Sequence, residues 1–223
     1  LSPAWKGALI KANPALGTAQ PKIEHLTQTL NLTQLNLDSA GIETLAPVVR
    51  FVSLSSISFS NNPLVADLLP LTEVKTLREL VGKNTGVQDL SVLKENTRLE
   101  RIDMEFSPTG SVLSLEALPK LSYLNINGSQ VDAEEMPVFQ LQRPDISVIY
   151  RTDALSKWWT GLDEAWKQVL LEKIKVSGDP NTEQLHELTS ASSLVLERVS
   201  FTSLEPLTVF SNLRKLVLFD APT

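Results

Sequence analysis

Two histidines are the side chains best suited to metal binding or proton transfer near neutral pH. His25 and His186 lie far apart in the chain, and the sequence contains no cysteine. Protein zinc sites need several Cys, His or carboxylate ligands at short spacing, and the sequence has no such group. We therefore expect no metal site and no cofactor, and we interpret both histidines as surface or cap residues.

Asp103 and Glu105 are the carboxylate pair most suited to acid–base chemistry. They are two residues apart, so on a strand they share one face, where a solvated acidic patch is the favoured explanation. The sequence has no G-x-S-x-G nucleophile elbow and no glycine-rich phosphate-binding loop. The sequence thus predicts a protein that is not an enzyme.

The composition narrows the kinds of partner. The 223 residues carry a formal net charge of −6 and are 42% hydrophobic. Nucleic acids and anionic membrane surfaces attract basic proteins, so neither is expected as a partner. No stretch of about 18 apolar residues occurs, so we predict no membrane span.

An L-x-x-L-x-L pattern recurs through the first two thirds of the chain. Its first leucines fall at residues 32, 54, 77, 99 and 121, so the steps are 22, 23, 22 and 22 residues. One copy buries too few side chains to offset its conformational entropy, and copies must therefore stack. The pattern predicts an α/β fold, a right-handed leucine-rich-repeat solenoid (horseshoe) with a parallel sheet on its concave face and helical caps.

Two further positions recur between the predicted strands. One is an apolar slot that we expect to face inward, occupied by Ile42, Leu64, Val87 and Val131. The other is a slot for small residues that bond to the backbone of a tight turn, occupied by Ala40, Asn62, Thr85, Ser107 and Ser129. The fourth copy places Asn96 and Thr109 in apolar slots, which predicts a local loop or bulge there.

A longer period lies above the short one. At an offset of 159 residues, Leu35, Leu45 and Pro47 align with Leu194, Leu204 and Pro206. Near the start the offset is 161, and Ala4-Trp5-Lys6 aligns with Ala165-Trp166-Lys167. We expect residues 1–152 to form one module with an N-terminal helical cap. Residues 153–223 are expected to form the cap and first repeats of a second, truncated module.

The caps are predicted from helix signals. Ser2 and Pro3 resemble an N-cap followed by proline in the first turn, and residues 132–139 also favour a short helix capped by Asp132. Trp158, Leu162 and Trp166 are spaced by four residues, which places them on one helical face that packs on the solenoid end. Trp159 would then be the more exposed tryptophan.

The outward positions of the predicted strands form the best candidate for a binding surface, because alternate strand residues face the solvent. The residues that we expect to bind a protein partner are Glu79, Lys83, Arg101, Asp103, Glu105, Tyr123 and Asn125. A solvated polar surface without a partner explains the same residues about equally well. Two further alternatives are a glycan- or cell-wall-binding module, with Trp159 and Tyr123 as aromatic platforms, and a structural spacer in a larger surface protein.

The 22-residue units and the Leu-x-Pro-apolar step, as in Leu68-Leu69-Pro70-Leu71, resemble bacterial internalin-type leucine-rich repeats. The last predicted strand, residues 143–150, and the following Trp158-Trp159 cap resemble those of multi-module surface proteins of this kind. The resemblance implies a secreted or cell-surface bacterial protein whose repeats bind other proteins. It supplies no catalytic residues and does not identify a ligand.

Overall fold

The computed structural model describes residues 1–197, 203–210 and 212–219. The chain divides into two compact units, a first unit of residues 1–139 and a second unit of residues 140–223. The division falls before residue 152, where the sequence places the end of the first module. Thr223, the last residue of the predicted truncated module, lies outside the described residues.

The first unit begins with two helices, followed by short strands that each end in an irregular turn. The helices are α1 (Pro3–Ala12) and α2 (Ile23–Leu30), and α3 (Glu135–Gln142) spans the end of the unit. The strands are β1 (Gln34–Asn36), β2 (Ser56–Ser58), β3 (Glu79–Val81), β4 (Arg101–Asp103) and β5 (Tyr123–Asn125). Helix α3 begins three residues after Asp132, later than predicted, and the Asp132 side chain accepts a hydrogen bond from the Glu134 amide.

Strands β1 to β5 lie side by side in chain order and are all parallel. Their pairing places the central residues of the strands next to one another in a buried column, which consists of Leu35, Ile57, Leu80, Ile102 and Leu124. Because the repeat keeps its register, each column residue packs on the equivalent residue of the next repeat. The predicted leucine-rich-repeat solenoid is confirmed.

A row of 3₁₀ helices forms the layer opposite the strands, with bounds Ala46–Arg50, Leu69–Glu73, Ser91–Glu95 and Leu113–Ala117. Proline lies in the first turn of the first two, where no backbone donor is needed. Asp67 and Asp89 accept hydrogen bonds from the amides of Leu69 and Ser91 at the start of two of them. Neighbouring 3₁₀ helices pack on each other and bury one apolar residue apiece, such as Leu71.

The small-residue slot behaves as predicted where it holds a polar side chain. Asn62 is fully buried and accepts a hydrogen bond from the Ile42 amide, while its side-chain nitrogen donates to the carbonyls of Leu37 and Phe59. Thr85 and Ser107 are also buried and share a hydrogen bond of 2.9 Å between their hydroxyls. These groups satisfy backbone atoms that the tight turns leave without partners.

The apolar slot of the second repeat is Val65 and not Leu64, which corrects the sequence interpretation. Val65 has no exposed surface, whereas Leu64 is 66% exposed. This repeat is one residue longer, and the extra residue moves the inward position by one.

The fourth repeat contains no bulge, so that prediction is wrong. Strand β4 keeps its register with both neighbours, and Asn96 and Thr109 are buried in the slots they occupy. The Asn96 side chain donates to the carbonyls of Leu71 and Val74, which belong to the preceding repeat. A buried amide therefore replaces an apolar side chain by bonding to the neighbouring coil.

The second unit contains two helices where the sequence predicts one tryptophan-bearing helix. Its elements are β6 (Ser147–Ile149), α4 (Thr152–Gly161), α5 (Glu164–Ile174), α6 (Thr182–Thr189), β7 (Ser193–Glu197) and β8 (Lys215–Phe219). The chain is extended at Leu162, and Asp163 caps α5 by accepting a hydrogen bond from the Trp166 amide. Trp158 and Trp166 are thus on different helices, although both pack in the core of this unit.

The 159-residue period of the sequence is also a period of the structure. Helix α2 and the 3₁₀ helix Ala46–Arg50 correspond at this offset to α6 and the 3₁₀ helix Glu205–Val209. The Trp5 indole donates to the Thr44 carbonyl, and the equivalent Trp166 indole donates to the Ser203 carbonyl. Ser2 caps α1 as predicted, just as Asp163 caps α5.

Candidate partner-binding face

The candidate site is the surface of the sheet in the first unit that points away from the buried column. We call it the sheet face, and it consists of the outward side chains of β1 to β5 and of the residues just after them. Its charged members are Asp38, Glu79, Lys83, Arg101, Asp103 and Glu105. With four carboxylates and two cations, their summed formal charge at neutral pH is −2.

Lys83 holds the acidic pair of the fourth repeat together. Its ammonium nitrogen lies 2.9 Å from Asp103 Oδ2 and 3.0 Å from Glu105 Oε2. Burial alone lowers the pKa of Lys83, but the hydrogen bonds and negative charges of both carboxylates outweigh it and raise the pKa above its ordinary value. The cluster keeps one net negative charge and a fixed geometry across two strands.

Arg101 connects three strands. Its Nε lies 3.8 Å from Glu79 Oε1 on β3, and its guanidinium carbon lies 3.8 Å from the ring centroid of Tyr123 on β5. Glu79 in turn accepts a hydrogen bond of 2.9 Å from the Ser56 hydroxyl on β2. The stacking on Tyr123 is a cation–π contact, which holds the guanidinium flat against the sheet.

Tyr123 and Asn125 are far less accessible than the sequence predicts. Tyr123 is 9% exposed and Asn125 is 5% exposed, so the expected exposure of both is wrong. The amide oxygen of Asn125 accepts a hydrogen bond from the Asn127 backbone, which gives this side chain a structural role. Tyr123 reaches the sheet face mainly through Arg101, which stacks on it.

The opposite end of the sheet face is built around Asp38, which lies outside the predicted set. Its carboxylate accepts hydrogen bonds from the Ser58 hydroxyl, the Ser60 amide and the Asn36 side chain. Neutral donors hold this carboxylate in place without neutralising it. The sheet face therefore has two acidic centres, one at Asp38 and one at the Lys83 cluster.

An exposed aromatic residue at the edge of the sheet face was not expected. Phe106 follows the acidic pair directly and is 62% exposed. It occupies the position just before the small-residue slot, where other repeats have serine, asparagine or glycine. That exception is the sequence signal that could have identified it.

The proposed glycan platform at Trp159 has no exposed ring. Trp159 is 4% exposed, and its indole nitrogen donates a 3.0 Å hydrogen bond to Asp179. Trp158, which we expected to be the more buried of the two, is only half-buried, and its indole donates to the Pro206 carbonyl. The assignment of these two tryptophans is thus the reverse of the sequence interpretation.

The histidines contact helix ends and not each other. The Nδ1 of His25 accepts a hydrogen bond from the Lys22 amide at the start of α2. His186 is buried in the second unit beside Thr152 and Tyr150, and burial lowers its pKa to about 4. Within the part of the chain that the structure describes, no three His, Cys, Asp or Glu side chains are placed to share a metal ion. None of the helices described there combines the length and apolar character needed to cross a bilayer.

The fold resembles solved bacterial leucine-rich-repeat structures. Internalin C2 of Listeria monocytogenes aligns with 98% of this chain and 84% of its own, at 15% identity and a TM-score of 0.55. The internalin InlF of the same species aligns with 87% of this chain and 50% of its own, at 16% identity and a TM-score of 0.49. A leucine-rich-repeat protein of Leptospira interrogans covers 56% of this chain and 38% of its own, at 16% identity and a TM-score of 0.47.

No protein-family profile matches the sequence, and no curated protein is significantly similar to it. The similarity to internalin C2 extends over almost the whole chain and, at this identity, concerns the fold alone. Together with the buried column and the repeat register, it shows that this chain has the fold of an internalin-type leucine-rich-repeat protein.

Proposed function

We propose that this chain is a non-catalytic module that binds a protein partner through the sheet face, the predicted concave surface of the solenoid. The centre of the site is formed by Glu79, Lys83, Arg101, Asp103 and Glu105. The observation that carries the proposal is the chain of contacts between these five side chains across β3 and β4. Tyr123 supports the site by positioning Arg101, whereas Asn125 contributes to the structure of the turn.

Preorganised charges favour a binding role. Long charged side chains lose rotamer entropy when a partner binds, which weakens association. Here Lys83 and Arg101 are already held by ion pairs and by stacking, so much of this loss occurs on folding. Rigid strands that present fixed charges of both signs give specificity as well as attraction.

The sheet face is a better candidate than an aromatic sugar platform. Trp159 and Tyr123, the two residues of the glycan alternative, are both largely buried. Sugar recognition by stacking requires an open ring face, which neither residue presents here. A glycan-binding role is therefore the less favoured alternative, and a spacer role would require the sheet face to bind nothing.

We further propose that the chain belongs to a secreted or cell-surface bacterial protein built from tandem modules. The support comes from the bacterial origin of the similar structures and from the structural period of 159 residues. In this proposal residues 1–152 form one module, and residues 153–223 form the cap and first repeats of another.

A binding screen with matched variants tests the proposal. The immobilised chain is screened against an array of purified extracellular proteins, and each hit is measured again with Arg101→Glu and Asp103→Lys. The matched controls are Lys94→Glu and Glu73→Lys, which reverse exposed charges in the 3₁₀ layer. We expect the sheet-face variants to weaken binding about tenfold or more, a change of about 1.4 kcal/mol or more.

The controls should leave the affinity unchanged. A partner that binds both sheet-face variants as tightly as the parent chain would remove this surface from consideration. Glycan binding without any protein hit would instead favour the alternative.

A further inference from the structure

The turns that follow the strands share a left-handed backbone conformation. The residues that adopt it are Ser39, Asn61, Asn84, Phe106 and Gly128, with φ between 52° and 73°. Glycine has no penalty in this region, and asparagine and serine are tolerated because their short polar side chains can bond locally. Phenylalanine is the exception, since a bulky side chain in this region is a strained outlier.

Phe106 is unfavourable in two independent ways. Its φ of 57° strains the backbone, and its ring is 62% exposed to water. An asparagine, as at the equivalent Asn61 and Asn84, would avoid both costs. Backbone strain of this kind persists where the surrounding structure enforces it, and it is concentrated at functional sites.

The next repeat leaves space for the ring. A Cβ atom at Gly128 would lie 2.5 Å from Cδ1 of Phe106, so no other residue fits there without displacing the ring. The Phe106 amide also donates to the Asn127 carbonyl at 2.8 Å, which joins the two turns. The ring thus lies on Gly128 in a defined orientation while most of its surface stays open.

We propose that Phe106 is the aromatic anchor of the sheet face and receives an arginine side chain from a segment of the protein partner. This inference rests on the proposed function and names the chemistry of the partner. The ring attracts cations through its π face, and a guanidinium also stacks flat on it. Charge complementarity supports a cationic partner, because Phe106 directly follows the Asp103–Lys83–Glu105 cluster and its net negative charge.

Defined peptides test this site on the full chain. Three acetylated and amidated peptides alternate glycine with three arginines, three lysines or three glutamates, and each is titrated into the ¹⁵N-labelled protein. We expect the arginine peptide to produce saturable shifts of the Glu105, Phe106 and Gly128 amides. The lysine peptide should bind more weakly, and the glutamate peptide should produce no saturable shift.

Variants separate the ring from the charges. Phe106→Ala should weaken the arginine peptide two- to fivefold, as expected for an exposed cation–π contact, and Phe106→Tyr should retain it. The control Val52→Ala removes another exposed apolar side chain and should have no effect. An unchanged dissociation constant for Phe106→Ala, or no saturable shift with the arginine peptide, would overturn the assignment.

The outcome for the anchor is distinguishable from the outcome for the sheet face. If Asp103→Lys abolishes binding of the arginine peptide and Phe106→Ala does not change it, the sheet face is retained and the anchor is refuted. If Phe106→Ala weakens the peptide but the sheet-face variants leave the protein partner bound, the anchor is supported and the proposed centre of the sheet face is refuted.

Discussion

Replacing Asn62 by alanine should destabilise the first unit strongly. The side chain is fully buried, and its oxygen accepts the Ile42 amide at 3.0 Å while its nitrogen donates to three carbonyls, those of Leu37, Phe59 and Ser60. Alanine leaves the Ile42 amide without its partner inside the core. An orphaned buried donor costs about 1–3 kcal/mol, and the lost carbonyl contacts add to this, so we expect a total loss of about 2–4 kcal/mol.

The assay combines urea unfolding with hydrogen exchange. The four tryptophans comprise Trp5 in the first unit and three others in the second, so far-UV circular dichroism is followed together with exchange at the Ile42 amide. The matched control is Gln34→Ala, an exposed side-chain amide on β1 whose loss should be within about 0.5 kcal/mol of neutral. Unchanged stability of Asn62→Ala, with the Ile42 amide still protected, would refute the argument that this slot satisfies the turn.

Three further substitutions probe other features. Gly82→Ala should cost about 1–3 kcal/mol, because its Cβ would lie 2.5 Å from the Phe59 ring and 3.0 Å from Met104 Sδ; the double variant with Phe59→Leu should recover part of that loss in urea unfolding, and a tolerated single variant would contradict the packing. Burial lowers the pKa of His186 from 6.5 to about 4, so the unfolded chain binds this proton more readily. The free energy of unfolding of the second unit should therefore fall by up to about 3 kcal/mol as the pH drops from about 6.5 to 4, and His186→Gln should flatten this dependence in pH-resolved unfolding. Phe106→Asn should leave the stability equal or raise it by up to about 1 kcal/mol because the left-handed turn is relaxed, and a loss above about 1 kcal/mol would show that the ring is structural.

The buried column could be predicted from the sequence because a repeat in register imposes it. Once Leu35 faces the core, parallel stacking at 22- and 23-residue steps brings Ile57 and Leu80 beside it. The period of 159 residues was likewise predictable, and with it the equivalent tryptophan contacts of Trp5 and Trp166. These features depend on spacing alone.

Two errors came from competing local signals. In the second repeat Leu64 and Val65 both fit an apolar slot, and only the three-residue step to Leu68 selects Val65, as the same step does from Ile42 to Leu45. Spacing by four residues suggested one helix through Trp158 and Trp166, although Asp163 offers an N-cap that ends it. The cap forms, since a side-chain acceptor for the Trp166 amide is available there.

Accessibility was the least predictable property of the candidate site. Alternation along a strand indicates which face a residue occupies but not how deeply that face is covered. It correctly grouped Lys83, Asp103 and Glu105, whose side chains meet across two strands. It could not show that Asn125 is buried or that Arg101 covers Tyr123, because both depend on neighbours that are distant in sequence.

The central claim is that the coils of the first unit are stable only as a stack. Native-state hydrogen exchange on Ile102→Ala tests it most directly, because Ile102 is fully buried between Leu80 and Leu124. Removing this side chain should cost about 2–5 kcal/mol, and the protection of the Leu80 and Leu124 amides should fall together with that of the substituted repeat. Loss of protection confined to the fourth repeat, with both neighbours unchanged, would contradict the account.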